Sequence, residues 1–147
     1  AKTSGKAGDS RKIKDKASKL VKELDKWFSL FIRLRNVDAF GNVTCFTCGK
    51  YANYKSGMQC GHFQSRRHYS TRWDERNCEV QCIGCNMFNQ GEQHKFAKNL
   101  DAKYGQGCAD ELEQKAHKSI KLMRSDYEVN ISYYKNLVHK FLDEREM

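Results

Sequence analysis

The sequence predicts an α+β chain: a small, zinc-pinned core of short strands flanked by long N- and C-terminal α-helices. Three observations carry this. Two matched pairs, Cys45-x2-Cys48 and Cys82-x2-Cys85, have the spacing at which four thiolates converge on one tetrahedral Zn²⁺. Between them, Met58 to Gln64 and Cys78 to Gln81 are short and strand-compatible. On either side, apolar residues recur with helical period. At 147 residues the chain suits one compact domain with appended helices. Its apolar fraction of 39% and mean hydropathy of −0.86 predict a modest core that a metal crosslink would supplement.

Taken in order, residues 1–14 are Gly-, Ser- and Lys-rich without hydrophobic period and read as a disordered basic tail. Residues 15–37 read as an amphipathic helix, with Leu20, Leu24, Trp27, Phe31 and Leu34 on one stripe. Residues 38–107 form the expected core. Turn formers from Asp38 to Asn42 lead into the first knuckle, and the polar stretch Ser65 to Arg76 reads as a long basic loop between the two strands. A helix is expected from Asn86 to Tyr104, with Phe96 and Leu100 inward and Gly105 and Gly107 stopping it.

Residues 108–147 form an expected C-terminal helical region, with a helix from about Ala109 that continues or breaks near Lys118. From there Ile120, Met123, Tyr127, Ile131, Tyr134, Val138 and Phe141 recur about every 3.5 residues, closer to a coiled-coil seam than to a globular face. The seam would pack on the first helix or on a second copy of the chain. Proline is absent, so nothing interrupts these helices.

The net charge of +9 and pI of about 9.2 point to a polyanionic partner, with DNA ahead of a lipid surface. No apolar run approaches the roughly 20 residues that cross a bilayer, and no secretory segment opens the chain, so a cytoplasmic protein is expected. Seven cysteines cannot all pair. In a reducing compartment the quartet reads as metal ligands and Cys60, Cys78 and Cys108 as free thiols. A zinc ion held by four thiolates has no open position, so its role would be structural.

Inside the bracket lie His62, Asn77 and, directly after the last cysteine, Asn86. Alone, each has an ordinary explanation: a hairpin hydrogen bond, a turn residue and a helix N-cap. Arg66, Arg67, Arg72 and Arg76, interleaved with His68 and Tyr69, crowd the connecting loop and read as a phosphate clamp, against a solvated loop paired internally with Asp74 and Glu75. Trp73 is expected to anchor this loop against the zinc knuckle. His94, His117 and His139 read as surface or packing residues.

The order histidine, asparagine, then a polar residue at a helix start is similar to that of the HNH, or ββα-metal, nuclease site. The run through Leu30-Phe31-Ile32-Arg33, Cys45-x2-Cys48-Gly49, Gly61-His62-Phe63, Arg72-Trp73-Asp74-Glu75-Arg76-Asn77, Gln81-Cys82-x2-Cys85-Asn86, Gly91 and Tyr104-Gly105 resembles the lambdoid phage NinG (Rap) recombination nuclease family. The resemblance spans about residues 30 to 113. It implies a structure-specific endonuclease acting on branched DNA, such as D-loops and Holliday junctions, in the host cytoplasm. Carried over by position, His62 would be the general base, Asn77 would orient its loop, and Asn86 would hold a catalytic Mg²⁺ or Mn²⁺.

Many nucleases of this class have Asp or His directly before the base, where this chain has Gly61. Gln59 is then the first candidate for a second metal ligand, with Glu75, His68 and Asn89 behind it. A homodimer is expected because a two-fold axis matches a four-way junction. A non-catalytic zinc DNA-binding module, a sequence-specific HNH endonuclease and a helical protein-interaction adaptor are the competing classes.

Overall fold

The computed structural model describes the backbone of residues 4–146 and the side chains of residues 17–146. Helix α1 runs from Ser4 to Leu34. It begins well inside the stretch expected to be a tail, because residues 4–14 hold Lys, Ala and Arg, good helix formers, and no proline. Residues 1–3, and the side chains of the whole stretch, lie outside the described residues. Strands β1 (Asn42–Thr44) and β2 (Tyr51–Asn53) form a small antiparallel hairpin around the first cysteine knuckle. A second antiparallel hairpin follows, β3 (Met58–His62) with β4 (Cys78–Cys82), where Gln59 faces Gln81, Gly61 faces Glu79 and His62 faces Cys78.

Between β3 and β4 the connecting segment is not featureless. It folds a short helix α2 (Tyr69–Arg72) whose Ser70 and Thr71 are buried, although their polarity argued for a loop clear of the core. The Ser70 hydroxyl donates to the Lys115 carbonyl at 2.7 Å, and that bond makes burial tolerable. After β4, Gly84–Phe88 makes one π-helical turn, and the chain then breaks. Gln90, Gly91 and Glu92 all take positive φ, so the helix expected from Asn86 onward starts only at Gln93. Helix α3 runs from Gln93 to Tyr104 with Phe96 and Leu100 fully buried, and ends at Gly105, whose φ of 113° is left-handed. Helix α4 (Cys108–Ala116) and helix α5 (Arg124–Glu144) complete the chain.

The main core lies between α1 and α5. Leu24, Phe28 and Phe31 of α1 meet Tyr127, Ile131, Tyr134 and Val138 of α5, with the Phe28 and Tyr134 rings edge to face at 5.0 Å. The seam of the last helix is thus occupied in cis, by α1, and its buried residues present no face to a second copy. Ile120 and Met123, read as the start of that seam, precede the helix and are exposed. Strands β3 and β4 close the core from one side. A satellite cluster of Phe96, Leu100, Cys108 and Leu112 holds α3 and α4 together, with Phe46 and Phe63 at its edge. Among the described residues no helix is long and apolar enough to cross a membrane.

Candidate active site

Both cysteine knuckles arrive at one point because β4 runs directly behind the first knuckle: the Phe46 N–H donates to the Val80 carbonyl at 2.9 Å. The Sγ atoms of Cys45, Cys48, Cys82 and Cys85 all lie within 4.8 Å of one another, and those of Cys48 and Cys82 are 3.6 Å apart. Tetrahedral zinc with Zn–S bonds of about 2.3 Å places its sulfurs roughly 3.8 Å apart, so the quartet could hold a zinc ion. Burial would raise the Cys45 thiol, but the backbone N–H groups of Cys82, Thr47 and Cys48 outweigh it and bring the value down to about 6. Burial pushes Cys85 up to about 12. Cys45 is therefore poised as a thiolate, and Cys85 would give up its proton on binding a metal.

His62 ends β3 and is half-buried. Its Nε2 lies 2.9 Å from the Arg72 carbonyl oxygen. A carbonyl only accepts, so Nε2 carries the hydrogen and Nδ1 keeps the lone pair. Burial lowers the ring's pKa to about 4, against the opposite pull of the Arg72 carbonyl, so His62 is neutral at neutral pH.

Asn77 is fully buried beneath the connecting segment. Its Oδ1 accepts the Gln64 N–H at 2.8 Å, and its Nδ2 donates to the Gln64 carbonyl at 3.2 Å and the Thr71 carbonyl at 3.0 Å. Asn77 thereby ties down the segment whose next carbonyl, that of Arg72, holds His62.

On the π-turn, Asn86 donates through Nδ2 to Gln59 Oε1 at 2.8 Å. Gln59, Asn86 and His62 line one cleft of about 620 Å³ together with Lys22, Lys26, Arg33, Asp25 and Arg66. The structure thus brings together four of the side chains singled out in the sequence, Gln59, His62, Asn86 and Arg66, and sets Asn77 behind them. The cleft's other wall is α1, which sequence reading treated as packing alone. Only the lysines on the polar face of α1 signalled this.

The arginines divide. Arg72 turns inward: its Nε and Nη2 grip both carboxylate oxygens of Asp25 on α1, at 3.1 and 2.5 Å. It therefore does not serve as an open phosphate clamp. Burial would raise the Asp25 carboxyl, but the hydrogen bonds and charges of Arg72 and Arg66 hold it below the usual range. Arg66 also reaches Asp25, at 2.8 Å, but keeps an exposed side chain at the cleft. Arg76 pairs with Glu111 at 3.1 Å on the far side of the loop. Arg67 is exposed and forms no ion pair among the described residues.

Trp73 anchors the loop to the helices and not to the cysteine quartet: its Nε1 donates to Asp25 Oδ1 at 2.9 Å and its ring meets Tyr127 edge on. His94, His117 and His139 are exposed. Of the other candidate metal ligands, Glu75 and Asn89 are exposed, and none of Glu75, His68 and Asn89 lines the cleft.

Gly61 has a steric reason to be glycine. A Cβ there would run into the side-chain amide of Gln81. Gln81, fully buried on β4, donates through Nε2 to Thr47 Oγ1 and to the Gly91 carbonyl, at 3.0 and 2.9 Å, while its Oε1 has no hydrogen-bond partner among the described residues. It links the first knuckle to the turn after the second. Sequence reading placed Gln81 in a strand and a motif but gave it no role, because nothing local distinguishes a buried glutamine from a surface one.

An α+β chain with a four-cysteine cluster beside a basic cleft is the class that this fold and site define. The family model for the Bacteriophage Lambda NinG protein matches residues 2–144, and the chain belongs to that family of phage proteins. It is similar to Protein ninG of Escherichia phage lambda, at 25% identity over 79% of this chain and 57% of the relative. Protein ninG of Escherichia phage 933W is 29% identical over 63% of this chain and 44% of the relative, and that of Salmonella phage P22 is 28% identical over 63% and 43%. The chain thus spans about half the length of the curated relatives it matches. No solved structure matches it.

Proposed function

We propose that the protein is a divalent-metal-dependent DNA endonuclease of the ββα-metal type, acting on branched recombination intermediates, with zinc in the cysteine quartet as a structural brace. The observation that carries this reading is His62: a neutral, tautomerically fixed imidazole opening on a basic cleft. The order β3, β4, π-turn, with Asn86 and His62 lining one cleft, supports it, and so does family membership for the recombination role.

In this reading His62 Nδ1 takes a proton from a water molecule as that water attacks phosphorus. The Arg72 carbonyl, through Nε2–H, orients the ring and stabilises the imidazolium that forms. Lys22, Lys26, Arg33 and Arg66 draw the phosphate backbone into the cleft and offset its charge. Asp25 keeps the cleft from being uniformly cationic and fixes its wall by holding Arg72 and Trp73. Phe88 and Met87, exposed beside Asn86, are available to stack against unpaired bases at a branch.

The oxygen donors present, Gln59 Oε1 and Asn86 Oδ1, suit a hard cation, and Asp25 is already held by two arginines. Neutral amides bind such an ion weakly, which fits Mg²⁺ or Mn²⁺ retaining most of its water and depending on the substrate phosphate. When bound, the ion supplies charge stabilisation for the departing 3′ oxygen.

The test is cleavage of labelled four-way junctions, D-loops and linear duplexes with Mg²⁺ or Mn²⁺, for wild type and His62→Ala. Junction cleavage that falls by at least a hundredfold in His62→Ala is expected. Equal behaviour of the two proteins, or tight binding without cleavage under either metal, would defeat the reading in favour of a zinc-braced binding module. Preference for one linear sequence over any branch would replace the branch-specific part.

A further inference from the structure

Cys60, His62 and Cys78 form a second thiol–imidazole cluster, apart from the quartet. One donor atom from each lies within 4.8 Å of the other two. The β3–β4 register creates it. His62 and Cys78 are directly opposed, and Cys60 lies two residues before His62 on the same strand, so all three occupy one face of the hairpin. Cys78 is fully buried, while Cys60 and His62 are half-buried and line the cleft, which gives an ion a path from solvent.

We propose that these three side chains are a metal site in their own right, taking Zn²⁺ through two thiolates and one ring nitrogen, and that its occupation withdraws His62 from proton transfer. The donor set selects the ion. Two sulfurs and an imidazole suit borderline-soft zinc and not Mg²⁺, which prefers oxygen. Zn–S bonds of about 2.3 Å and Zn–N bonds of about 2.0 Å require donors between roughly 3.4 and 3.8 Å apart. Closure from spacings of no more than 4.8 Å thus needs at most about 1.4 Å of side-chain movement.

Charge balances as well. Zn²⁺ displaces one proton from each thiol, and the resulting dithiolate complex is neutral, as a largely buried position demands. Three protein ligands leave the fourth position for water or a phosphate oxygen, unlike the closed quartet. A ring nitrogen's lone pair takes a proton or a metal ion, not both, so zinc at this site and His62 acting as a base exclude each other. The metal site stands on the cluster itself, and only its consequence for cleavage rests on the nuclease reading.

The experiment is equilibrium dialysis of the full chain against Zn²⁺ under anaerobic, reducing conditions, with elemental analysis of bound metal. Wild type is expected to bind a second zinc per chain, more weakly than the first. Cys60→Ser and Cys60→Ala, at a half-buried position, should weaken the second at least tenfold and retain the first. Cobalt titration gives an independent reading: thiolate-to-cobalt absorption should grow in two steps in wild type and in one in Cys60→Ser. A single zinc in wild type, or an unchanged second zinc in both Cys60 variants, overturns the site. In Mg²⁺-supported cleavage assays, micromolar Zn²⁺ should inhibit wild type and do so at least tenfold less effectively in Cys60→Ser. Equal inhibition of both overturns the regulatory part. Absence of cleavage by wild type would instead sink the nuclease reading, and the zinc count would still decide the site.

Discussion

The backbone carbonyl of Arg72 holds Nε2–H of His62 at 2.9 Å, while the guanidinium of the same arginine is fixed on Asp25 of the first helix. The orientation of the imidazole therefore depends on an ion pair that joins residues 25 and 72.

Asp25→Asn should show this dependence. It removes the charge opposite Arg72 but leaves an oxygen for the Trp73 indole. Truncating one partner of a half-buried pair is expected to cost about 2 kcal/mol. Urea unfolding measures the loss, and the His62 ring resonances in NMR should broaden or shift. A stable variant with unmoved His62 signals would show that Arg72 is held by other contacts.

Asn77 makes three hydrogen bonds from a fully buried position, and Asn77→Ala leaves the Gln64 N–H and carbonyl without the side chain that pairs them and takes one donor from the Thr71 carbonyl, which keeps the Asp74 N–H. A loss of about 2–4 kcal/mol is expected. Asn77→Asp should do no better, because it turns a donor into a buried acceptor facing two carbonyls. Thermal melts of the two variants check the ranking.

At Gly61 an added methyl group must displace Gln81 from Thr47 and Gly91. Gly61→Ala should destabilise by about 1–3 kcal/mol. Gly61→Ala combined with Gln81→Ala should cost less than the sum of the single changes, since the clash is removed. Strict additivity in denaturant titrations would contradict the contact.

The pH dependence of stability follows from His62. Its folded pKa is depressed to about 4 by burial, against 6.5 in the unfolded chain. As pH falls from 6.5 the unfolded chain takes up a proton that the folded chain refuses. Stability present above 6.5 is then lost down to about pH 4, by roughly 3 kcal/mol from this group. The difference in unfolding free energy between wild type and His62→Gln across that window isolates it, and a flat difference would refute it.

Removing metal from the quartet should loosen the fold. With zinc bound, the four sulfurs crosslink the β1–β2 turn to the end of β4. A strong chelator is expected to lower the melting temperature by at least about 10 °C, given that structural zinc contributes folding free energy directly. Circular dichroism melts with and without chelator measure it, and Cys82→Ser should melt like the chelated protein.

Much of this molecule was legible in the residue order. The i, i+3 spacing of each knuckle, the strand through His62 and the one that begins at Cys78, the inward Phe96 and Leu100, and the stop at Gly105 are local patterns, in which a few adjacent residues dictate geometry. The break at Gln90 to Glu92 escaped, because three successive positive-φ residues, two of them not glycine, have no composition signal beyond one Gly. The last helix showed its apolar seam but not its partner, since a stripe specifies that something must cover it and not which surface does.

By itself, then, the sequence determined the cysteine quartet, the hairpin between its halves and the helices around it, because short-range periodicity and ligand spacing act within a few residues. The tertiary structure alone decided that Arg72 faces Asp25 and not solvent, that α1 walls the cleft, that Gln81 fills the space a side chain at position 61 would need, and that Cys60 and Cys78 converge on His62. Those are contacts between residues far apart in the chain. Only the packing of α1 against the hairpin and α5, together with the register of β3 on β4, brings them within bonding distance.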